Sequence, residues 1–234
     1  MPSSYRPISL TSNVSKLFDK MVVCRLKWFL EYYNILIFTQ SGFQQRRKTT
    51  DRILSLHDII QKSLANKHNV LAIFIDIEKA YDMVNKNVLL LKLLKFGITG
   101  RMFQFISSFL SNRTFQVRVG STLSMTKLLE NGTPQGSVLS PVLFSLMIND
   151  LPNKITSPSA LYADDFCFWE SGSDRRGFTI RLKRLKPRAP DFGEPENFGT
   201  NDNFQHFRKQ LYSYFCFTST HVLYFTMPLT KDLL

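Results

Sequence analysis

Two adjacent carboxylates, Asp164 and Asp165, lie between two apolar segments. The pair Ala160-Leu161 precedes them by two residues, and the run 166–169 follows them directly. An acidic pair between two strand-like segments predicts the tip of a β-hairpin, where the turn lifts both carboxylates out of the sheet, into solvent or onto a metal ion. An ordinary acidic turn would have the same pattern.

A third carboxylate, Asp76, directly follows the short apolar run 70–75, which is typical of a strand covered on both faces. If Asp76 lay beside Asp164 and Asp165, each like-charge pair at about 5 Å would cost roughly 3 kcal/mol at an effective dielectric constant near 20. A bound divalent cation would remove this cost. Mg²⁺ prefers hard oxygen ligands and keeps positions for water and substrate phosphates. The three acids together therefore predict nucleotidyl transfer with two metal ions.

A glycine-containing block at residues 131–141 stands between the two acidic segments. Its glycines permit close approach of the backbone, and the polar Gln135 precedes an apolar helix predicted over 142–148. This arrangement suits contact with a nucleotide or a template base. A plain loop leading into a helix would look similar.

Helices and strands predicted from periodicity surround these groups. Apolar residues recur at helical spacing in four further segments, 14–33, 50–64, 85–96 and 101–110. Residues 115–119 alternate between apolar and polar types, which predicts a strand with one solvated face.

The chain is strongly basic, with 30 Lys and Arg residues against 18 Asp and Glu, a net charge of +12. Attraction to phosphate is therefore expected, and binding to nucleic acid should weaken with salt. The length of 234 residues allows one large domain or two small ones. No segment is long and apolar enough to span a membrane, and the N-terminal residues lack the charged and apolar regions typical of a signal peptide.

The remaining reactive side chains do not form a second catalytic pattern. The four histidines are scattered, and no Ser/His/Asp constellation is evident. Cys24, Cys167 and Cys216 are far apart without metal-ligand spacing, and their odd number argues against a disulfide framework. A reducing compartment is the natural expectation.

Five motifs in order carry a family resemblance. They are Tyr5-Arg6-Pro7-Ile8-Ser9-Leu10, residues 40–51, the pair Phe74-Ile75-Asp76 and Ala80-Tyr81-Asp82, residues 132–137, and Tyr162-Ala163-Asp164-Asp165. This order resembles that of reverse transcriptases, and it looks most like the branch of non-LTR retrotransposons, the LINE-type and jockey-like elements.

The resemblance implies a metal site at the three acids. Asp76 and Asp164 would be the two metal-binding aspartates, and Asp165 would be the third acidic residue, which supports the site more loosely. The backbone carbonyl of Ile77 would be a further ligand. Two Mg²⁺ ions, with Mn²⁺ as a possible substitute, would be the cofactors.

The resemblance also implies that Tyr81 is an aromatic gate that crowds a ribose 2′-hydroxyl and so selects dNTPs over rNTPs. An aromatic side chain packed in a core at a helix start is the structural alternative for Tyr81. The neighbouring Asp82 could simply cap the following helix.

Four further residues are assigned to substrate by the resemblance. Gln135 and Gly136 would line the incoming nucleotide and the template base. Arg6 would contact the triphosphate. Arg47 would belong to the fingers surface near the template.

The implied fold is α+β: a polymerase palm, which is a ferredoxin-like antiparallel sheet with helices, plus partial helical fingers. We expect this fingers and palm fragment to occupy residues 1–172. Residues 173–234 lose clear periodicity and match no distal palm or thumb segment, so we expect an aberrant or disordered basic tail there. The chain would then be a truncated fragment.

The implied activity is RNA-directed DNA polymerisation in retrotransposition, with an RNA template, a DNA primer and dNTPs as partners. No membrane or protein partner is expected, and the protein would be intracellular, in the nucleus or the cytoplasm, without a targeting signal. One alternative is an inactive retrotransposon remnant that binds nucleic acid through charge at most. An RNA-dependent RNA polymerase would share the carboxylates but is not expected to carry Tyr81 as a gate.

Overall fold

A computed structural model of the chain describes residues 8–45, 47–77, 79–172 and 225–226. Within these residues the α-helices are α1 (Asn13–Tyr32), α2 (Thr49–Ala65), α3 (Lys86–Lys95), α4 (Gly100–Leu110) and α5 (Ser140–Met147), and Pro152–Lys154 forms a 3-10 helix. The strands are β1 (Asn69–Asp76), β2 (Thr114–Phe115), β3 (Arg118–Val119), β4 (Thr122–Leu123), β5 (Lys127–Leu128), β6 (Ser159–Tyr162), β7 (Asp165–Gly172) and β8 (Phe225–Thr226). Apart from β8, the predicted tail lies outside the described residues.

The chain divides into two compact units, each built from two separate stretches of sequence. The first, which we call the helical unit, comprises Met1–Leu36 and Lys79–Ile148 and contains α1, α3, α4 and α5. The second, which we call the sheet unit, comprises Ile37–Glu78 and Asn149–Leu234 and contains α2 and the longest strands.

The sheet unit is built on a four-stranded antiparallel sheet with the strand order β6-β7-β1-β8. Strand β1 pairs with β7 along its whole length, from Asn69 opposite Gly172 to Asp76 opposite Asp165. Only Phe74 is partly exposed among the apolar residues 70–75. The predicted central strand with both faces covered is therefore confirmed.

One face of this sheet carries an apolar cluster that packs against α2. The cluster consists of Val70, Ala72, Ala160, Cys167 and Trp169, with Leu56, Ile59, Ile60 and Phe74 against it. Burial raises the pKa of the Cys167 thiol to about 12. The thiol therefore stays protonated at neutral pH and serves as a packing group.

The helical unit is organised around α3, which packs against both α4 and α5. Seven of the eight residues of α5 are buried, which explains why its sequence is apolar on every side. The buried Lys92 of α3 donates a hydrogen bond from its Nζ atom to the carbonyl of Met147, the last residue of α5. A cation at a helix C-terminus is stabilised by the helix dipole, so this charge is accommodated in the core.

The five predicted helices are confirmed, with ends that differ by at most two residues from the prediction. Local sequence fixes several of these ends. Ser12 caps α1 by accepting a hydrogen bond from the Ser15 N–H at 3.1 Å, and Asn85 caps α3 in the same way for Val88 at 3.1 Å. Asp82 is therefore not the cap of the following helix, because Asn85 already occupies that position.

The continuous strand predicted over 115–119 is wrong. Strands β2 and β3 belong to different two-stranded sheets, β2 with β5 and β3 with β4. Between them the Val117 N–H donates to the Ser124 Oγ atom at 2.9 Å instead of to a backbone carbonyl. A side chain that takes the place of a ladder partner interrupts the strand, which sequence alternation cannot reveal.

None of the helices in the described part of the chain is long and apolar enough to cross a membrane.

Of the three cysteines, Cys24 is exposed and Cys167 is buried, and both are free thiols. Cys216 lies outside the described residues.

The cap of α3 gives a stability prediction. Asn85→Ala removes the hydrogen bond to the Val88 N–H and should lower the free energy of unfolding by about 1 kcal/mol. Urea denaturation followed by circular dichroism measures this. Asn87→Ala is the matched control, because Asn87 is exposed within the helix and Ala has the higher helix propensity. An equal loss in both variants would contradict the capping role.

Candidate active site

Asp76 and Asp165 face each other across the central strand pair of the sheet unit. They are the last residues of the β1–β7 ladder and are direct partners in its register. Side chains directly opposite in an antiparallel pair have Cβ atoms about 4.5–5.5 Å apart and lie on the same face of the sheet. The Cβ atoms of two aspartates are thus fixed side by side at one end of the sheet.

Asp164 lies next to this pair in the β6–β7 turn. Tyr162 pairs with Asp165, which leaves Ala163 and Asp164 as a two-residue loop. Ala163 has a φ of +54°, the left-handed conformation that tight hairpin turns of this length require at the first loop position. The predicted hairpin is confirmed, but only Asp164 is in its turn, since Asp165 already belongs to β7.

The three acids interact electrostatically. The pKa of Asp165 is raised, first by partial burial and then by the negative charges of Asp164 and Asp76. Within the described residues, no three side chains of His, Cys, Asp or Glu are grouped closely enough to hold a metal ion as they stand. Asp76 and Asp165 are both exposed, so their carboxylates can rotate without disturbing the core.

The donor chemistry of this end of the sheet fits a hard divalent cation. Three carboxylates supply oxygen ligands, and the Ile77 carbonyl follows directly after β1. Partial burial and the negative charges of Asp164 and Asp76 together raise the pKa of Asp165, and a bound cation would relieve the repulsion among the three carboxylates.

A loop that sequence reasoning left without a role supports the turn. Residues 39–43, which we call the support loop, run beside β6, where Gln40 forms a parallel bridge with Leu161. The Ser41 N–H donates to the Leu161 carbonyl at 2.8 Å, and the Leu161 N–H donates to the Thr39 carbonyl at 3.0 Å. The sequence signal for this loop is the motif over 40–51, in which the family resemblance assigns a role to Arg47 but none to residues 40–43.

Gly42 of the support loop touches the turn itself. A Cβ atom at this position would lie 2.3 Å from the backbone nitrogen of Ala163. No real Cβ contact is that short, so only glycine allows the loop to approach the turn this closely.

Arg47 is placed at the base of the support loop. Its Nη1 atom donates to the carbonyls of Phe38 and Gln40 at 2.7 and 2.8 Å, and its guanidinium lies 5.0 Å from the Phe38 ring centroid. Arg52 lies near the same ring at 5.3 Å and donates to Ser41 Oγ at 2.6 Å. These contacts anchor the loop, and the template-side role of Arg47 stays a prediction.

Tyr81 and Gln135 lie in the helical unit and are described there. The Tyr81 ring packs against the buried Phe144 with ring centroids 5.1 Å apart. Gln135 Nε2 donates to Asp82 Oδ1 at 2.9 Å. The block 131–137 is thereby attached to the turn that carries Tyr81, and the Thr133 N–H donates to the Tyr81 carbonyl at 2.8 Å.

Close backbone approach fixes the same block further. A Cβ atom on Gly132 would lie 2.6 Å from the Asp82 carbonyl oxygen, and Gly132 has a φ of +86°. Gly136, with a φ of +103°, lies beside the backbone of Ser9, whose N–H donates to the Gln135 carbonyl at 2.7 Å.

The buried Asp19 of α1 accepts a hydrogen bond from Ser137 Oγ at 2.8 Å, a partner that no motif indicated. Arg6 lies outside the described residues.

An antiparallel sheet that packs against a helix and brings three acids to one end is typical of a polymerase palm. Residues 1–193 match the family described as "Reverse transcriptase (RNA-dependent DNA polymerase)", and the chain belongs to this family.

Relatives from retrotransposons support the same branch. The chain is 34% identical over 180 residues to the probable RNA-directed DNA polymerase from transposon BS of Drosophila melanogaster, covering 74% of this chain and 20% of the relative. It is 33% identical over 207 residues to the probable RNA-directed DNA polymerase from transposon X-element of the same organism, covering 86% and 23%. The RNA-directed DNA polymerase from mobile element jockey of Drosophila funebris is 32% identical over 170 residues, covering 69% and 18%. The chain thus spans about a fifth of the length of these curated relatives.

Solved structures agree on the fold. Apo telomerase from Candida tropicalis, truncated from its C-terminal domain, matches with a TM-score of 0.58 at 13% identity, covering 91% of this chain and 41% of that chain. Telomerase from the same organism in complex with a telomeric RNA fragment matches with a TM-score of 0.57 at 13% identity, covering 88% and 33%. The predicted α+β palm-like fold is confirmed.

The raised pKa of Asp165 gives a pH prediction. Its folded pKa lies above that of the unfolded chain, so ionisation destabilises the folded state, and stability falls as pH rises from about 3.8 through the folded pKa. In EDTA, Asp165→Asn should therefore unfold at a higher urea concentration than wild type at pH 7. This gain should disappear below about pH 3.8.

The matched control is Asp58→Asn on α2, where Asp58 forms an exposed pair with Lys62. Because an exposed pair contributes little, this variant should show no gain at pH 7. A pH-independent effect of Asp165→Asn would contradict the raised pKa of Asp165.

Proposed function

We propose that this chain provides the catalytic centre of an RNA-directed DNA polymerase, which adds dNTPs to a primer 3′-hydroxyl in retrotransposition. The observation that carries the proposal is the pairing of Asp76 with Asp165 across β1 and β7, with Asp164 in the adjoining turn. Three acids from distant sequence positions meet at one end of the sheet, as nucleotidyl transfer requires.

Asp76 and Asp164 are the principal metal ligands in this proposal, the Ile77 carbonyl is a further ligand, and Asp165 supports the site. Two Mg²⁺ ions held there, or Mn²⁺ in their place, would lower the pKa of the primer hydroxyl and neutralise the charge of the leaving pyrophosphate. The β1–β7 ladder holds the backbone of Asp76 and Asp165 in place, so catalysis rests on positioning and charge.

The remaining predicted residues act on substrate in the same proposal. Tyr81 excludes the ribose 2′-hydroxyl, and its packing on Phe144 gives the ring a fixed orientation. Gln135 and Gly136 line the incoming nucleotide and the template base, while Arg6 contacts the triphosphate. Arg47 contributes to the template side.

The partners are an RNA template, a DNA primer and dNTPs. The names of the relatives, RNA-directed DNA polymerases of transposons, support this choice, as does the net charge of +12, which attracts phosphate backbones. Residues 1–172 form the fingers and palm portion, and 173–234 stand in place of the distal palm and thumb. The site of action is intracellular, in the nucleus or the cytoplasm, because template RNA and target DNA meet there.

Primer extension tests this function. Purified protein should extend a DNA primer on an RNA template with Mg²⁺ and dNTPs, and Asp164→Asn should reduce kcat by roughly 100-fold or more, the usual cost of losing a group that stabilises charge in the transition state. Asp58→Asn removes an exposed carboxylate from α2 and should leave the rate unchanged. Absence of extension by the wild type would contradict the proposal and favour an inactive remnant.

Sugar selection tests the role of Tyr81. Tyr81→Ala should raise the ratio of rNTP to dNTP incorporation by roughly 10- to 200-fold, the range over which a pocket discriminates one small group. Tyr81→Phe is the matched control, since it keeps the ring packed on Phe144 and should keep the selection. An equal ratio of rNTP to dNTP incorporation in wild type, Tyr81→Ala and Tyr81→Phe would contradict the proposed role of Tyr81 as a gate.

A further inference from the structure

Gln40 connects the support loop to the catalytic turn through a single atom. Its side chain is fully buried, and its Oε1 atom accepts hydrogen bonds from the Gly42 N–H at 2.7 Å and from the Ala163 N–H at 3.2 Å. Ala163 directly precedes Asp164. One amide oxygen therefore joins the loop backbone to the residue before a catalytic carboxylate.

The orientation of this amide is determined by its partners. Only the oxygen of a glutamine side chain can accept from two N–H groups, so Oε1 must face Gly42 and Ala163. The Nε2 atom is left buried without a hydrogen-bond partner among the described residues. An apolar side chain of similar length would avoid this unsatisfied donor, so the acceptor oxygen is the feature that the site uses.

The turn needs such support because its backbone is strained. Ala163 has a φ of +54°, and residues other than glycine disfavour the left-handed region. A strained conformation persists when its surroundings hold it in place. Here Gly42 packs against Ala163 on one side, and Gln40 binds its N–H.

The support loop is itself held firmly. The Gln40 carbonyl accepts hydrogen bonds from Arg47 Nη1 at 2.8 Å and from Gln44 Nε2 at 3.0 Å, and Arg52 Nε donates to Ser41 Oγ at 2.6 Å. These hydrogen bonds hold the loop backbone that carries the Gln40 amide in place beside the turn.

From this geometry we infer that Gln40 is a positioning residue: its amide oxygen fixes the Ala163-Asp164 turn and thereby places the Asp164 carboxylate for divalent cation binding beside Asp76 and Asp165. The inference rests on the proposed function for its effect on catalysis. Its effect on the turn is independent of that function. Gln40 acts through Ala163 and touches neither substrate nor metal.

Amide hydrogen exchange of the ¹⁵N-labelled full chain tests whether Gln40 fixes the Ala163-Asp164 turn. Gln40→Met has nearly the same length but no acceptor oxygen, and it should speed exchange of the Ala163 N–H by roughly 3- to 10-fold, the factor of one net hydrogen bond. Gln40→Glu keeps an oxygen at the same reach and should restore protection. Amides of β1 serve as the internal reference for an intact sheet.

Mn²⁺ titration tests, without requiring activity, whether Gln40 places the Asp164 carboxylate for divalent cation binding. The probe is Mn²⁺ alone, followed by paramagnetic broadening of the Asp164 amide signal. Gln40→Met should raise the Mn²⁺ concentration for half-maximal broadening by roughly 3- to 10-fold, in parallel with the loss of one hydrogen bond. In primer extension the same variant should lower kcat while the KM for primer-template stays unchanged, and Gln40→Glu should recover kcat.

The matched control is Gln45→Met, the same chemical change at an exposed residue five positions along. It should leave the exchange rate, the Mn²⁺ midpoint and kcat at wild-type values. If Gln40→Met does not fold, Gln40→Asn withdraws the amide by one methylene and should give the same changes.

Unchanged Ala163 exchange in the Gln40 variants would overturn the inference, and so would faster exchange with an unchanged Mn²⁺ midpoint. Failure of the proposed function is separate: it would appear as absence of primer extension by the wild type, whereas the exchange and Mn²⁺ measurements still decide the role of Gln40.

Discussion

The antiparallel ladder between β1 and β7 is the constraint on which the site depends. Its register sets Asp76 opposite Asp165 and leaves Asp164 in the turn beyond. Because side chains alternate between the faces of a strand, a shift of one residue would move a carboxylate to the other face. The buried apolar residues of both strands hold this register, so the same packing that stabilises the sheet also concentrates negative charge at its end.

This concentration of charge is unfavourable without a cation, and the repulsion adds to partial burial in raising the pKa of Asp165. The site tolerates it because Asp76 and Asp165 are exposed to solvent, which screens their repulsion. The turn has a second unfavourable feature, the left-handed Ala163, which Gly42 and Gln40 hold. Strain and repulsion thus meet at one end of the sheet, as is common at functional sites.

Several elements could be predicted from sequence because their signals are local. Helical periodicity and apolar runs located the five α-helices of the described residues, and the apolar run 70–75 located the central strand. The failure at 115–119 has a physical cause: the Ser124 hydroxyl replaces a ladder partner of Val117, and alternation within one strand carries no information about the partner strand. Gln40 was overlooked for a similar reason, since its partner Ala163 is 123 residues away.

By itself, the sequence determined the family, the acidic residues and the order of helices and strands, because each depends on residue type and spacing along the chain. The tertiary structure decided which residues meet. Asp76 pairs with Asp165, which belongs to β7 and not to the turn. Asp82 accepts a hydrogen bond from Gln135 and does not cap a helix. The support loop packs against Ala163. These contacts join residues distant in sequence, and only the register of the sheet and the packing of the core bring them together.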